Sequence, residues 1–413
     1  MKDKTKLKQT KIGMIPEGWK VARLGSCCKL VKKQFKPSKE DRRKYIGLEH
    51  IEQQSLRLVE IGSSEHIESN KFEFKQGQIL FGKLRPYFRK VYRPKFDGVC
   101  STDIWVIDTR EPNDSAFFFY FFADNRIITE ANNSSEGTRM PRARWDYLEE
   151  LEFPIPLLPE QQKIAKILSD LDSKIELNQN MNKTLEAIGQ AIFKHWFVDF
   201  EFPNEEGKPY KSSGGKMVYS EELGEEMPEG WEIKKLDEIS DNFDSRRIPL
   251  SSRERDSRKG SFPYYGATSI LDHVDDFIFD GTYVLMGEDG SVIDERGYPI
   301  LQYVWGKFWV NNHAHVLRGK NISNELLYVF LKNTNVGHIV TGAVQPKINQ
   351  NNMNKLQFTI PKPKTLLRIQ SILNSLFEKR KINFEEINNL SLIRNSLLPK
   401  LMSGKIRVPI EAN

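Results

Sequence analysis

The sequence predicts an α+β protein built as an internal repeat. Two tandem α+β domains are separated by two long helices that pair antiparallel, coiled-coil fashion, about a pseudo-two-fold axis. Three observations predict this. The stretch FPIPLLPEQQKIAKILSDLDSKIELNQNMNKTLEAIGQAIFKHWFVDF, residues 153–200, returns from Phe358 as FTIPKPKTLLRIQSILNSLFEKRKINFEEINNLSLIRNSLLPKLM. One ungapped shift of 205 positions carries Ile155 onto Ile360, Gly137 onto Gly342, Pro141 onto Pro346 and Leu151 onto Leu356, and such self-similarity marks a duplication. Each stretch also lacks proline between Pro159 and Pro203, or between Pro363 and Pro399, so each can form a helix of about 57 Å at about 1.5 Å per residue. The segments ahead of each stretch are short, rich in Val, Ile, Phe and Tyr, and broken by Gly, Pro and Asn, which is strand-and-turn punctuation.

In chain order, the basic N-terminus MKDKTKLKQTK has no apolar run behind it and is no secretory signal. IPEGWKVARLG follows, and MPEGWEIKKLD repeats it at Met227; Pro16 maps onto Pro228 with a shift of 212, so the two halves differ by small insertions. YIGLEHI, GQILFGKL and GVCSTDIWVID read as strands, and SAFFFYFFADNRIITEANN as one buried helix whose counterpart is NELLYVFLKNTNVGHIV. The expected division is a first domain at 1–153, a spacer helix at 154–200, a Gly/Ser/charge-rich linker at 201–226, a second domain at 227–360 and a second spacer helix at 361–413.

The helices carry near-heptad stripes. Ile164, Leu168, Leu171, Ile175, Asn178, Asn182, Leu185, Gly189, Ile192 and Trp196 alternate steps of four and three, as do Ile369, Leu373, Leu376, Arg380, Asn383, Ile387, Leu390, Arg394, Leu397 and Leu401. Asn178 and Asn383 are related by the repeat and lie near the helix midpoints, so antiparallel pairing is expected to set them opposite each other. A buried polar residue there costs stability but fixes register.

Composition narrows the function. The 413 residues are 38% hydrophobic and 29% charged, with no apolar run near the roughly 20 residues of a membrane span, so a cytoplasmic protein is expected. Cys27, Cys28 and Cys100 have neither disulfide nor zinc spacing. No phosphate-binding glycine loop occurs, and GEDGSVIDERG at Gly287 fits a turn. His313 and His315 share a strand face without a third ligand, and no nucleophile–base pair is anchored by spacing. A net charge of +6 leans weakly toward a polyanion, and clustering is more informative. KKQFKPSKEDRRKYIG, GKLRPYFRKVYRPKFDG and GTRMPRARW in the first half, with DSRRIPLSSRERDSRKGSFPYYG and GAVQPKINQNN in the second, mix basic and aromatic residues in loops, the pattern of nucleic-acid contact. Two similar domains on a helical rod match the two halves of a split DNA site, with the rod as a ruler exceeding one turn of about 34 Å.

The paired PEGW openings, the GTRMPRARWDYLEELEFPIPLLPEQQKIAKIL entry to the first helix, WFVDFEFP followed by GKPYKSSGGKMV, and the closing SLLPKLMSGKI resemble the DNA-specificity subunits of type I restriction–modification systems over essentially the whole chain. The second half departs where TLLRIQ replaces the PEQQKI type of helix entry. The resemblance implies a non-catalytic chain whose two target recognition domains each read half of a split site in double-stranded DNA. It further implies helices that bind two methyltransferase subunits, joined by restriction/motor subunits, with S-adenosylmethionine, ATP and Mg held by those partners and no cofactor on this chain. On this reading Phe193, Trp196 and Phe197 are expected on the partner surface. Arg139, Arg142 and Arg144 in the first half, and Gln345, Lys347 and Asn349 in the second, are expected to read bases; Lys83, Arg85, Arg89, Arg246, Arg247 and Arg258 are expected to hold phosphates. The alternatives are a protein-binding scaffold indifferent to DNA, and a stand-alone methyltransferase or nuclease, for which no catalytic segment is left over.

Overall fold

The computed structural model describes residues 6–409 apart from Lys39, His66, Thr138 and Ala343. The chain divides into two compact units, residues 1–178 with 385–413, and residues 179–384. The division falls inside both long helices, Leu158–Phe193 and Pro363–Met402, so each unit owns part of each helix and the helices are not the separate segments expected.

The first unit holds an antiparallel sheet in the order Val91–Tyr92, Ile79–Gly82, Ile104–Thr109, Cys28–Val31. A second sheet runs Gln34–Phe35, Lys71–Phe74, Gly98–Cys100, Lys44–Ile46, Gly62–Ser63, with one parallel pair between Gly98–Cys100 and Lys44–Ile46. Glu152–Ile155 pairs back onto Lys20–Arg23 and so brings the helix entry beside the PEGW turn. The expected single helix after Ser115 is two, Ser115–Ala123 and Asn125–Asn133. The buried Asp124 makes the break: it ends the first, and its carboxylate accepts from Arg126 N–H to cap the second, a role in which Asp outcompetes helix continuation.

The second unit repeats this plan. One sheet runs Ser240–Asn242, Ala314–Gly319, Tyr283–Gly287, Leu301–Val304, all antiparallel. The other runs Ile270–Val274, Lys259–Tyr265, Lys307–Val310, Phe279–Asp280, again with one parallel pair. Glu232–Lys235 pairs with Gln357–Ile360. The expected linker is part of this unit's core. Phe200 and Phe202 are buried, Phe202 stacks on Tyr210 at 4.5 Å, and both phenylalanines meet Trp231 of the second PEGW turn. Phe202 and Tyr210, with Phe200 just ahead of them, anchor this polar, Gly-rich stretch although its average composition is that of a spacer.

Within each unit the helix segments run antiparallel. In the first, Ile164, Ala165 and Leu168 share a core with Leu398, Leu401 and Met402; in the second, Ile192 and Trp196 share one with Ile369, Leu373 and Phe377. Of the expected pairing positions, Ile164, Leu168, Asn178, Ile369, Leu373 and Asn383 are buried, and Leu171, Leu185, Leu376 and Leu390 half-buried. The asparagines do not take the partners expected. Asn178 Nδ2 donates to Glu386 Oε2 at 2.8 Å, and Asn383 Nδ2 donates to Asn182 Oδ1 at 2.9 Å. Helical side chains lean toward their own N-terminus, and in an antiparallel pair that lean aims each amide about one turn past the midpoint of the other helix.

Three separated pieces of chain close the first unit on one carboxylate. Glu160, 1% exposed at the start of the first long helix, accepts Trp19 Nε1–H at 2.9 Å and two N–H groups of Arg407 at 2.7 and 2.9 Å. Arg407 also donates to the Glu17 carbonyl at 3.0 Å. Arg407→Ala leaves this carboxylate buried without its cation, so denaturant unfolding of the full chain should show the first unit weakened by about 3 kcal/mol. A change below about 0.5 kcal/mol would mean that water replaces the guanidinium at no cost.

Candidate nucleic-acid interface

The repeat's glycine and proline, Gly137/Pro141 and Gly342/Pro346, delimit a hairpin in each unit. In the first, Glu136 and Arg142 exchange backbone hydrogen bonds (3.2 and 3.1 Å), Arg85 N donates to Pro141 O at 2.8 Å, and Ala143 N donates to Lys83 O at 2.9 Å. In the second, Thr341 and Lys347 exchange bonds (2.8 and 2.7 Å), Gly290 N donates to Pro346 O at 3.0 Å, and Ile348 N donates to Glu288 O at 2.9 Å. The same four backbone bonds thus recur in both units, two closing each hairpin and two docking it onto its neighbour. Gly342 has φ +89°, and a Cβ there would lie 2.3 Å from the Gln345 carbonyl oxygen, so the turn requires glycine.

Side chains around this frame differ between units. In the first, Arg142 grips Asp103 through Nε and Nη2 at 2.9 and 3.3 Å, and these bonds raise the Arg142 pKa. Arg144 lies between Asp146 and Glu136, which raise its pKa in the same way. Lys83 and Arg142 line a cavity of about 420 Å³ walled by Trp105 and Trp145. Arg85, with φ +52°, donates weakly to the Arg139 carbonyl at 3.4 Å. Arg139 is exposed and makes no side-chain ion pair among the described residues. Arg89 does not fit the phosphate role expected of it: it is half-buried against Asn125, and burial, reinforced by the nearby Arg394 charge, lowers its pKa.

In the second unit the expected phosphate binder Arg247 is internal. It donates to Glu288 at 2.6 Å and to the Ala314 carbonyl at 2.7 Å, and lies 3.6 Å from Asp244. His315, 1% exposed, hydrogen-bonds Asp244 Oδ2 through Nδ1 at 2.6 Å and the Ile348 carbonyl through Nε2 at 2.8 Å. Asp244, Glu288 and His315 form a cluster of metal-ligand type, but both imidazole nitrogens are engaged and the Arg247 guanidinium already sits against both carboxylates. The arrangement is an ion network that carries the hairpin, since Lys347 Nζ lies 3.2 Å from Glu288 Oε1. His313 pairs with Asp289 at 2.5 Å at its edge. Asn349 serves as a helix N-cap, accepting Asn352 N–H, and not as a free base reader. Arg258 pairs with Asp275 at 2.9 Å over the Trp309 ring, and exposed Arg246 lies over Phe279. Gln345 is exposed, without a side-chain hydrogen bond among the described residues.

The aromatic partner surface expected at the end of the first helix is not a surface. Trp196 and Phe197 are buried and Phe193 half-buried, with Phe197 ring centroids 5.0 Å from Phe330 and 5.5 Å from Trp231. These rings serve the second unit's core. Sequence reasoning also passed over the exposed Met140 and Val344 at the hairpin tips, and the acids Asp103 and Glu288 beneath them. The Gly-to-Pro spacing repeated in both halves was the available signal.

A model of the type I restriction modification DNA specificity domain matches residues 16–187 and 228–392, most of the chain and one span for each repeat. The chain belongs to this family. Each match covers one of the repeated domains and reaches into the helix after it, so this specificity chain carries the domain twice and contributes DNA sequence specificity in place of catalysis. It is similar to the specificity subunit of the type I restriction enzyme MjaIX of Methanocaldococcus jannaschii, 29% identical over 317 residues that cover 71% of this chain and 69% of that one. It is also similar to the HindI specificity subunit of Haemophilus influenzae, 24% identical over 94% of this chain and 99% of that one. The solved type I restriction–modification S subunit from M. genitalium shares the fold, with a TM-score of 0.56 at 17% identity over 96% of this chain and 98% of that one. Among the described residues no helix is long and apolar enough to cross a membrane.

Burial works against charge on Asp244 and Glu288. On Asp244 it is outweighed by hydrogen bonds from His315 and Val316 N–H with the Arg247 charge, and on Glu288 chiefly by Arg247 and His315, so both carboxyl groups are held below their ordinary values. A depressed carboxylate pKa lends stability that is complete above the unfolded value and lost as pH falls through the folded one. Glu288→Gln should therefore destabilise the second unit by about 2 kcal/mol near neutral pH. That gap should begin to shrink as pH falls below the ordinary carboxylate value and vanish only below the depressed folded value, where the wild-type carboxyls protonate. Thermal melts across pH read this directly, and a gap independent of pH would refute the ionic account.

Proposed function

We propose that this chain selects a two-part DNA target, each unit contacting one half-site through its docked hairpin and the basic loops around it. The observation that carries this reading is the recurrence, in both units, of an exposed hairpin fixed by the same four backbone bonds and bearing different side chains. The major groove of B-DNA, about 12 Å wide, admits a two-stranded β-ribbon. Lys83, Arg85, Arg139, Arg142 and Arg144 gather around the first hairpin, and Lys347 and Gln345 belong to the second. Arg142, Arg144 and Lys347 hold carboxylates in the free chain, and phosphates can exchange for those carboxylates on binding.

The remainder of the assembly belongs to the same proposal. Methyltransferase subunits, two per chain, dock on the outer faces of the long helices, and motor-nuclease subunits join them. S-adenosylmethionine, ATP and Mg are used by those partners. Exposed apolar side chains on the helices support a docking role: Leu177, Leu392 and Ile393 in the first unit, and Leu367, Ile382 and Phe384 in the second. Trp196 and Phe197 are not part of that surface.

Binding by the full chain with its methyltransferase subunit, measured on mixed duplexes across salt concentrations, tests the reading. Lys83→Ala should weaken binding to every duplex alike and flatten the log–log salt slope by about 0.9. Salt-independent binding, or none to any duplex with the partner present, would favour a scaffold indifferent to DNA. Methyl transfer by the isolated chain would favour a stand-alone enzyme.

A further inference from the structure

Most of the side chains around the hairpins already have structural work. Arg142 holds Asp103, Arg144 holds Glu136 and Asp146, Lys347 holds Glu288, and Asn349 caps a helix. The tips are different. By the repeat, Arg139 corresponds to Val344 and Met140 to Gln345, so each tip presents one apolar and one polar side chain in opposite order. Val344 is 99% exposed and Met140 51% exposed. An isopropyl group held wholly in water on a turn closed by two backbone bonds and docked by two more gains nothing for the fold. It gains only on meeting an apolar partner.

Resting on the two-part DNA reading above, we propose that the tips are the sequence-reading elements and that they demand different bases. Val344 meets the C5-methyl of a thymine while the Gln345 carboxamide, one donor and one acceptor, pairs with N7 and N6–H of an adenine, so the second hairpin selects an A·T-containing step. Arg139 presents only donors and matches the two acceptors O6 and N7 of a guanine, with Met140 as its apolar neighbour, so the first hairpin selects a G·C pair. The chemistry follows from the groove edges. A thymine methyl is the one apolar group exposed there, and the Gln and Arg side chains are complementary to adenine and guanine respectively. Arg142, Arg144 and Lys347 position the hairpins and contribute affinity that is nearly blind to sequence.

Selection from a randomised duplex pool by the full chain with its methyltransferase subunit separates the proposal from the reading beneath it. Wild type should return a split motif; the absence of any motif defeats the two-part reading itself and this proposal with it. Given a motif, Val344→Ala with Gln345→Ala should relax an A·T position in one half by about tenfold, leaving the other half and the salt slope unchanged. Arg139→Ala should relax a G·C position in the other half. Gln345→Arg, which keeps a long polar side chain at the tip, should shift preference from adenine toward guanine at the same position. An unchanged motif in all three variants, or a uniform loss of affinity without relaxed selectivity, would overturn the assignment.

Discussion

The first unit depends on a single buried carboxylate. Glu160 lies where the first long helix begins, and it draws in the PEGW turn through Trp19 and the end of the chain through Arg407. Without partners a carboxylate buried there would be costly to the fold. With them it ties three distant segments together at one point. The second unit has the same PEGW turn but no such carboxylate, since Thr365 and Leu366 stand where the first has Glu160 and Gln161. Its tryptophan, Trp231, is instead walled in by Phe197, Phe200 and Phe202. One motif is thus secured by ion pairing in one unit and by aromatic packing in the other.

This difference explains what was legible in the sequence. The duplication, the helical stripes and the strand-and-turn segments are local or periodic, and every expected seam position that was named is buried or half-buried. What escaped were facts that depend on residues far apart. The aromatics of the presumed linker mean little until Trp231 is beside them, and Phe193 and Phe197 resemble a docking patch until Phe330 covers them. Asn178 and Asn383 pair with Glu386 and Asn182, about one turn from each other's position, an offset that comes from side-chain tilt, which spacing does not encode.

The basic loops show the same limit in electrostatic form. Counting lysines and arginines in a loop overstates its free positive charge, because the neutralising acids come from other strands. Arg142 finds Asp103, Lys347 finds Glu288, and Arg247 disappears into a network with Asp244 and His315. The net charge of +6 is therefore a weak guide to the polyanion-facing surface. The informative residues are the few that the fold leaves without an internal task.

The backbone docking of the hairpins has a consequence for how such proteins diversify. Peptide N–H and C=O groups are present whatever the side chain, so an attachment made of them tolerates substitution at the tip, provided that the turn glycine is kept. A lineage can then change the side chains it shows to its ligand without disturbing what holds them in place. The two hairpins of this chain, descended from one ancestral repeat and now bearing Arg-Met and Val-Gln, are already two outcomes of that drift.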